Sequence, residues 1–277
     1  MIHAPRTRGR ASRVTVVLLS AIGLLVFGWP LLSGFGPFSQ GAPLPVVTLI
    51  APLLVAGVLL SLESSLADTR VLALVGVLAA LAAAARLVSL GAGGVEFVFV
   101  VVTLSGRVLG ARLGFVVGVV AIGLSSVVWG GFGPWTAFQM LALGWVGAGA
   151  GLLPRVKPPS GGAAGTRELV MLMIYGAVAS YVFGLLMNLW FWPIALGPDT
   201  SLSLVEGGSF AENASRFVLY SLASSTLTWD TVRAVTTVMS LVIIGRPALK
   251  ALRRVYSRPQ SHRKVLRLRV MEHESVR

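Results

Sequence analysis

The sequence predicts an all-α integral membrane protein with about eight transmembrane helices. Three observations predict it. The 277 residues are 55% hydrophobic and only 12% charged, with a mean hydropathy of +0.84, whereas soluble domains sit near ~45–50% apolar and about 25% charged. The apolar residues fall in runs close to the ~20 that an α-helix needs to cross a hydrocarbon core of about 30 Å. The formal charge of +13 is concentrated at the two ends: residues 1–13 and 246–277 hold fourteen Lys or Arg against two Glu, and the 232 residues between them hold nine bases and eight acids. A nucleic-acid surface needs a folded basic face. This distribution argues against such a partner and assigns the charge to membrane topology and to anionic lipid at the basic tails.

The expected spans are residues 14–33, 44–62, 71–90, 95–111, 113–130, 135–153, 168–193 and 217–246. The first follows four Arg as a signal peptide would, but its run is long enough to span and lacks a small-x-small cleavage site, so it reads as a retained helix. The fourth is short and contains Arg107. The last reads as an interfacial helix near 211–225 followed by a span from about Asp230, because the polar stretch 221–228 suits a break. Gly-rich turns at 91–94 and 130–134 and a flexible stretch at 158–165 separate neighbouring spans.

Basic residues in the short connections set the orientation. With the N-terminus inside, Arg70, Arg107, Arg112, Arg155, Lys157, Arg167 and the C-terminal tail all lie on the cytoplasmic side, while the opposite connections contain Arg216 beside Asp199, Glu206 and Glu212. Both termini are therefore expected in the cytoplasm, with the protein multi-pass in the cell membrane.

The residue inventory limits the chemistry. There is no Cys, and His3, His262 and His273 all lie in the tails, which argues against an intramembrane thiol or histidine site. No phosphate loop, Mg²⁺-binding carboxylate pair or nucleophile with its base is present. The chain is expected to be neither an enzyme nor a holder of metal or cofactor. The two halves share no interrupted-helix pattern of the kind found in inverted-repeat transporters.

Charged and amide groups are costly inside a membrane, about 2.5–3.5 kcal/mol for a charge at a helix centre. Here they gather toward the external ends of the spans: Arg86, Glu96, Trp135, Gln139, Asn188, Asp230 and Arg233. Together they form a candidate ligand-binding set. Asp230 and Arg233 are three apart, which equally suits a local ion pair. Trp29, Trp129, Trp135, Trp190, Trp192 and Trp229 fit an aromatic belt at the external boundary. In the third span Gly76, Ala80 and Ala84 recur every four residues, a strip with almost no side chain that lets another helix approach closely, within this chain or from a partner.

Three blocks of sequence resemble a known family: RVLALVGVLAALAAAARL at 70–87, TLSGRVLGARLGFVVGVV at 103–120, and WGGFGPWTAFQMLALGWVGAGAGLLPR at 129–155. WDTVRA at 229–234 and GRPALKALRR at 245–254 extend the likeness. The chain resembles the S component, the substrate-binding membrane subunit, of energy-coupling factor (ECF) transporters, with a leaning toward members with cobalamin-like substrates. The resemblance covers roughly residues 70–255. It implies a six-helix core at 66–250, a substrate site near the external face for a vitamin or related micronutrient, and partners consisting of a T component and two ABC ATPases that hydrolyse ATP on its behalf. It also implies that Gly76 and Ala80, extended by Ala84, meet the T component. Residues 1–13 are then a basic N-terminus, 14–65 two extra helices about which the resemblance says nothing, and 251–277 a basic tail. Two readings without an energy-coupling partner remain beside it: a membrane scaffold that recognises no solute, and an ungrouped secondary transporter.

Overall fold

The computed structural model describes residues 20–32, 68–89, 93–129, 131–156, 165–198 and 200–256. The expected second span, 44–62, lies outside the described residues, as do most of both basic ends. Among the described residues all regular structure is helical. Among the described residues seven helices follow residue 68: α1 (Thr69–Val88), α2 (Val98–Leu109), α3 (Ala111–Trp129), α4 (Pro134–Leu152), α5 (Thr166–Leu196), α6 (Phe210–Ser221) and α7 (Thr231–Tyr256). A π-helical segment, Leu222–Asp230, joins the last two.

Among the described residues, four helical stretches are long and apolar enough to cross a membrane: α1, α3, α5 and the continuous run Phe210–Tyr256. The chain is thus a helical protein with membrane-spanning character. The expected span at 95–111 is shorter than expected. α2 has 12 residues, about 18 Å at 1.5 Å per residue, and does not by itself match a core of about 30 Å. The expected break at 221–228 is also absent, because the helix widens there into the π segment and continues. α7 then runs on to Tyr256.

Local chemistry fixes the helix ends. Asp68 caps α1 by accepting from the backbone amides of Arg70 at 3.2 Å and Val71 at 3.4 Å. Ser89 closes α1 by donating to the Ala85 carbonyl at 2.7 Å, and its oxygen accepts from the Phe97 amide at 3.2 Å, so one hydroxyl spans the turn into α2. A single residue, Gly110 at φ +88°, separates α2 from α3, a left-handed conformation that side chains rarely adopt. Pro134 opens α4, where its missing N–H costs nothing.

The bundle packs through glycine. A Cβ on Gly147 of α4 would strike the backbone of Gly114 on α3, and one on Gly118 would strike the backbone at Leu143. Small residues at these crossings let helix backbones touch, which replaces the missing hydrophobic drive in lipid. The strip Gly76, Ala80 and Ala84 is not used in this way. All three residues are exposed, and a Cβ on Gly76 would meet nothing within 4 Å.

Residues 20–32 lie against the bundle. Ser20 accepts from the Trp145 indole at 2.8 Å, and the Phe27 ring meets Phe138 edge-on at 4.9 Å. Phe138 in turn stacks on Trp190 at 4.5 Å. The described end of the first expected span therefore contributes to the core of the bundle. Three of the tryptophans assigned to a boundary belt belong to the interior instead: Trp29, Trp190 and Trp192 are all buried.

Side-chain contacts mark two opposite ends of the bundle. At one end Arg107 of α2 and Arg253 of α7 each bind Oε1 of Glu168 on α5 at 2.6 Å, and Arg107 also donates to the carbonyls of Leu153 and Pro154 at 3.1 Å. At the other, Arg86, Glu96 and Arg233 gather.

Candidate functional site

The site is built around Arg233, on the first turn of α7. Its guanidinium donates to Asp230 at 2.6 Å, to Glu96 at 3.1 Å and to the Ser180 carbonyl at 3.3 Å. It lies over the rings of Phe99 and Phe183, 5.4 and 5.1 Å from their centroids. Those rings meet each other edge-on at 5.1 Å. An apolar cage around a cation favours the paired form and gives each ring a cation–π contact of order 0.5–2 kcal/mol. Asp230 is 1% exposed, and the Arg233 guanidinium lies against its carboxylate. Among the described residues Arg233 Nε has no hydrogen-bond partner.

The π segment explains how Asp230 reaches that position. Its i→i+5 ladder brings side chains five apart onto one face. Ser225 donates to Asp230 Oδ2 at 3.1 Å, the Ser221 and Thr226 hydroxyls are 3.1 Å apart, and Thr231 donates to the Thr226 carbonyl at 2.9 Å. Asn188 of α5 donates to Ser221 at 2.8 Å and to Ser225 at 2.7 Å. A polar chain thus runs from Asn188 through Ser225 and Asp230 to Arg233 and Glu96. Gly184 of α5 provides the space, since a Cβ there would collide with the Asp230 carboxylate.

In front of Arg233 lies a cavity of about 210 Å³, lined by Arg86, Ser89, Gly94, Glu96, Phe99, Ile122, Gln139, Leu143, Phe183 and Trp229. Arg86 is oriented by Ser125 at 2.9 Å and by Gln139 Oε1 at 3.0 Å. Gln139 offers its carbonyl to Arg86, which leaves its NH₂ as a potential donor. Glu96 contributes an acceptor that is partly open to water, with 28% of its side chain exposed. The turn over the cavity is set by Gly94 at φ +92°, where a Cβ would lie 2.6 Å from the Trp229 carbonyl oxygen.

Of the sequence-predicted set, Arg86, Glu96 and Gln139 line the cavity. Arg233 and Asp230 stand behind it and hold Glu96. Asn188 acts one bond further back, through Ser225. Trp135 is not part of the wall: it is half exposed and packs over Gly133 at the start of α4. The tryptophan that does line the cavity is Trp229, 48% exposed. Gly76, Ala80 and Ala84 lie on the exposed face of α1 and are not among the residues lining the cavity. Among the described residues no group of three or more His, Asp or Glu is close enough to hold a metal ion. What the cavity offers is a donor, an acceptor, a cation and aromatic surface, a set suited to binding and orienting a small ring compound.

No family model, no curated protein and no solved structure matches this chain.

Proposed function

We propose that the chain is the substrate-capture subunit of an ECF-type importer, an eight-span protein of the cell membrane with both ends in the cytoplasm. In this reading it is not an enzyme; a T component and two ABC ATPases supply the energy. The observation that carries the reading is the cavity bounded by Arg86, Glu96, Gln139 and Trp229, at the end of the bundle opposite most of the basic residues. The motif resemblance over residues 70–255 and the bare strip Gly76, Ala80 and Ala84, open for a T component, support it.

The cavity also narrows the ligand. The formal charges of Arg86, Arg233, Glu96 and Asp230 cancel, which favours a neutral or zwitterionic compound. At about 210 Å³ the space is smaller than the ~300–1,000 Å³ of ordinary drug-sized sites. It fits a vitamin with one compact ring system. A cobalamin-like ligand requires the turn at Gly93 and Gly94 or the Trp229 indole to withdraw.

Mass spectrometry of small molecules that co-purify with the protein, followed by titration against a vitamin panel, tests the proposal. Binding no tighter than about micromolar, near −8 kcal/mol, for every compound would count against solute capture. The exposed strip on α1 favours a second reading, a membrane scaffold. That reading predicts that Ala80→Trp disrupts a complex while Gln139→Ala has no effect on uptake.

A further inference from the structure

The Glu168 end of the bundle contains a second cavity, of about 680 Å³, that the capture of solute does not use. Three arginines line it: Arg107, Arg155 and Arg253. Among the described residues no acid lines it. Glu168, just behind, is fully buried and engages two of the arginines through a single oxygen, Oε1, while its Oε2 has no partner among the described residues. Among the described residues, one carboxylate faces three guanidiniums here. Arg155 is exposed and makes no hydrogen bond or ion pair with any described residue.

The rest of the wall is apolar, with Val108 and Leu153 beneath and Tyr256 at the rim. Cationic donors over an apolar floor suit an anion attached to an apolar body. Several planar guanidiniums around one opening suit a tetrahedral oxyanion, which accepts from more than one fork at once. The chain beyond Tyr256 holds six Lys or Arg against Glu272 and Glu274, so its net positive charge disfavours the tail as occupant and favours an anionic ligand. In the orientation set by the basic connections, this opening faces the leaflet in which anionic headgroups are enriched.

We infer that Arg107, Arg155 and Arg253 form a phosphate-binding site at this end of the bundle, with the headgroup phosphate of an anionic phospholipid as its occupant. The same chemistry would accept free phosphate, and the test separates the two. The full-length protein is placed in nanodiscs of phosphatidylcholine mixed with phosphatidylglycerol, and retained lipid is read by native mass spectrometry. Preferential retention of phosphatidylglycerol is expected, reduced about fivefold by Arg155→Gln, the factor carried by one basic residue near an anionic surface. Arg269→Gln, in the basic tail that itself attracts anionic lipid, is expected to reduce retention less than Arg155→Gln does. Equal loss in both variants overturns the site in favour of diffuse attraction. Inorganic phosphate is titrated against delipidated protein in parallel. Arg155-dependent phosphate binding without lipid preference keeps the site but assigns it to a soluble phosphate, and failure of both measurements overturns it. Neither outcome bears on ligand binding at Arg86 and Glu96.

Discussion

Ser225 donates a hydrogen bond to Asp230 at 3.1 Å across five residues, a spacing that 3.6 residues per turn would direct to different faces of an α-helix. The π segment brings the two onto one face, and through Asp230 it aims Arg233 at Glu96. Ser225→Ala removes one donor to the carboxylate and one acceptor for Asn188. The expected loss is about 1–2 kcal/mol of stability, seen as a lower thermal unfolding midpoint in detergent. An unchanged midpoint would show that the Asn188 relay does not hold Asp230.

Arg233→Met removes the cation shared by Asp230 and Glu96. Because Asp230 is buried, it is left as an uncompensated charge, and the expected destabilisation is about 3–5 kcal/mol. Adding Asp230→Asn is expected to restore part of it, with a coupling energy above about 1 kcal/mol in a double-mutant cycle. Strict additivity of the two changes would mean that the pair contributes nothing.

Glu168→Gln leaves Arg107, whose side chain is 6% exposed, without its carboxylate at the opposite end. A loss of about 3 kcal/mol is expected. Arg253→Gln should cost less, since the Arg253 side chain is 21% exposed and water replaces part of the pairing. Chemical unfolding of the two variants gives the order directly, and the reverse order would contradict the burial argument.

Two glycine-to-alanine changes should move in opposite directions. In Gly76→Ala the new methyl group meets open space, and the substitution gains helix propensity of up to about 1 kcal/mol. In Gly147→Ala the methyl group meets the Gly114 backbone, and overpacking costs about 1–3 kcal/mol. Thermal midpoints that fall equally in both would indicate that the strip on α1 is covered in the intact protein.

For the proposed solute site, Trp229→Ala is expected to weaken ligand binding by roughly tenfold, the upper range of an aromatic stacking contact. Its effect on the unfolding midpoint should be small, because the indole is half exposed. Isothermal titration with the ligand recovered from purification reads the first effect. A large stability loss with unchanged affinity would assign Trp229 to packing alone.

What the sequence makes legible here is short-range. The cap at Asp68, the Gly-rich turns, Pro134 and the Asp230 and Arg233 pair follow from neighbours within a few residues. The glycine contacts between α3 and α4 leave a trace as regular as the strip on α1, since Gly106, Gly110, Gly114 and Gly118 recur every four residues, but spacing alone does not say which strip faces inward. The π segment leaves one trace in the sequence: hydroxyl residues at 221, 226 and 231, with Ser225 and Asp230, recur every five residues. Polarity alone reads as a break. Trp229 and Trp135 are indistinguishable by composition, and only the passage of Gly94 over the Trp229 backbone puts the former at the cavity. Trp190 and Trp192 look like boundary residues until the stack on Phe138 and the bond from Trp192 to the Leu202 carbonyl are known.

The bond between Glu96 and Arg233 joins residues 137 apart, which gives the site a history during synthesis. Glu96 leaves the ribosome long before its partner, by about 7–27 s at ~5–20 residues per second. In that interval its carboxylate has to remain hydrated at the membrane surface, and the turn before α2 lacks its anchor. The candidate site is therefore completed only when α7 is made. A nascent chain stopped short of Arg233 contains nearly all of the cavity wall and none of the cation that secures Glu96.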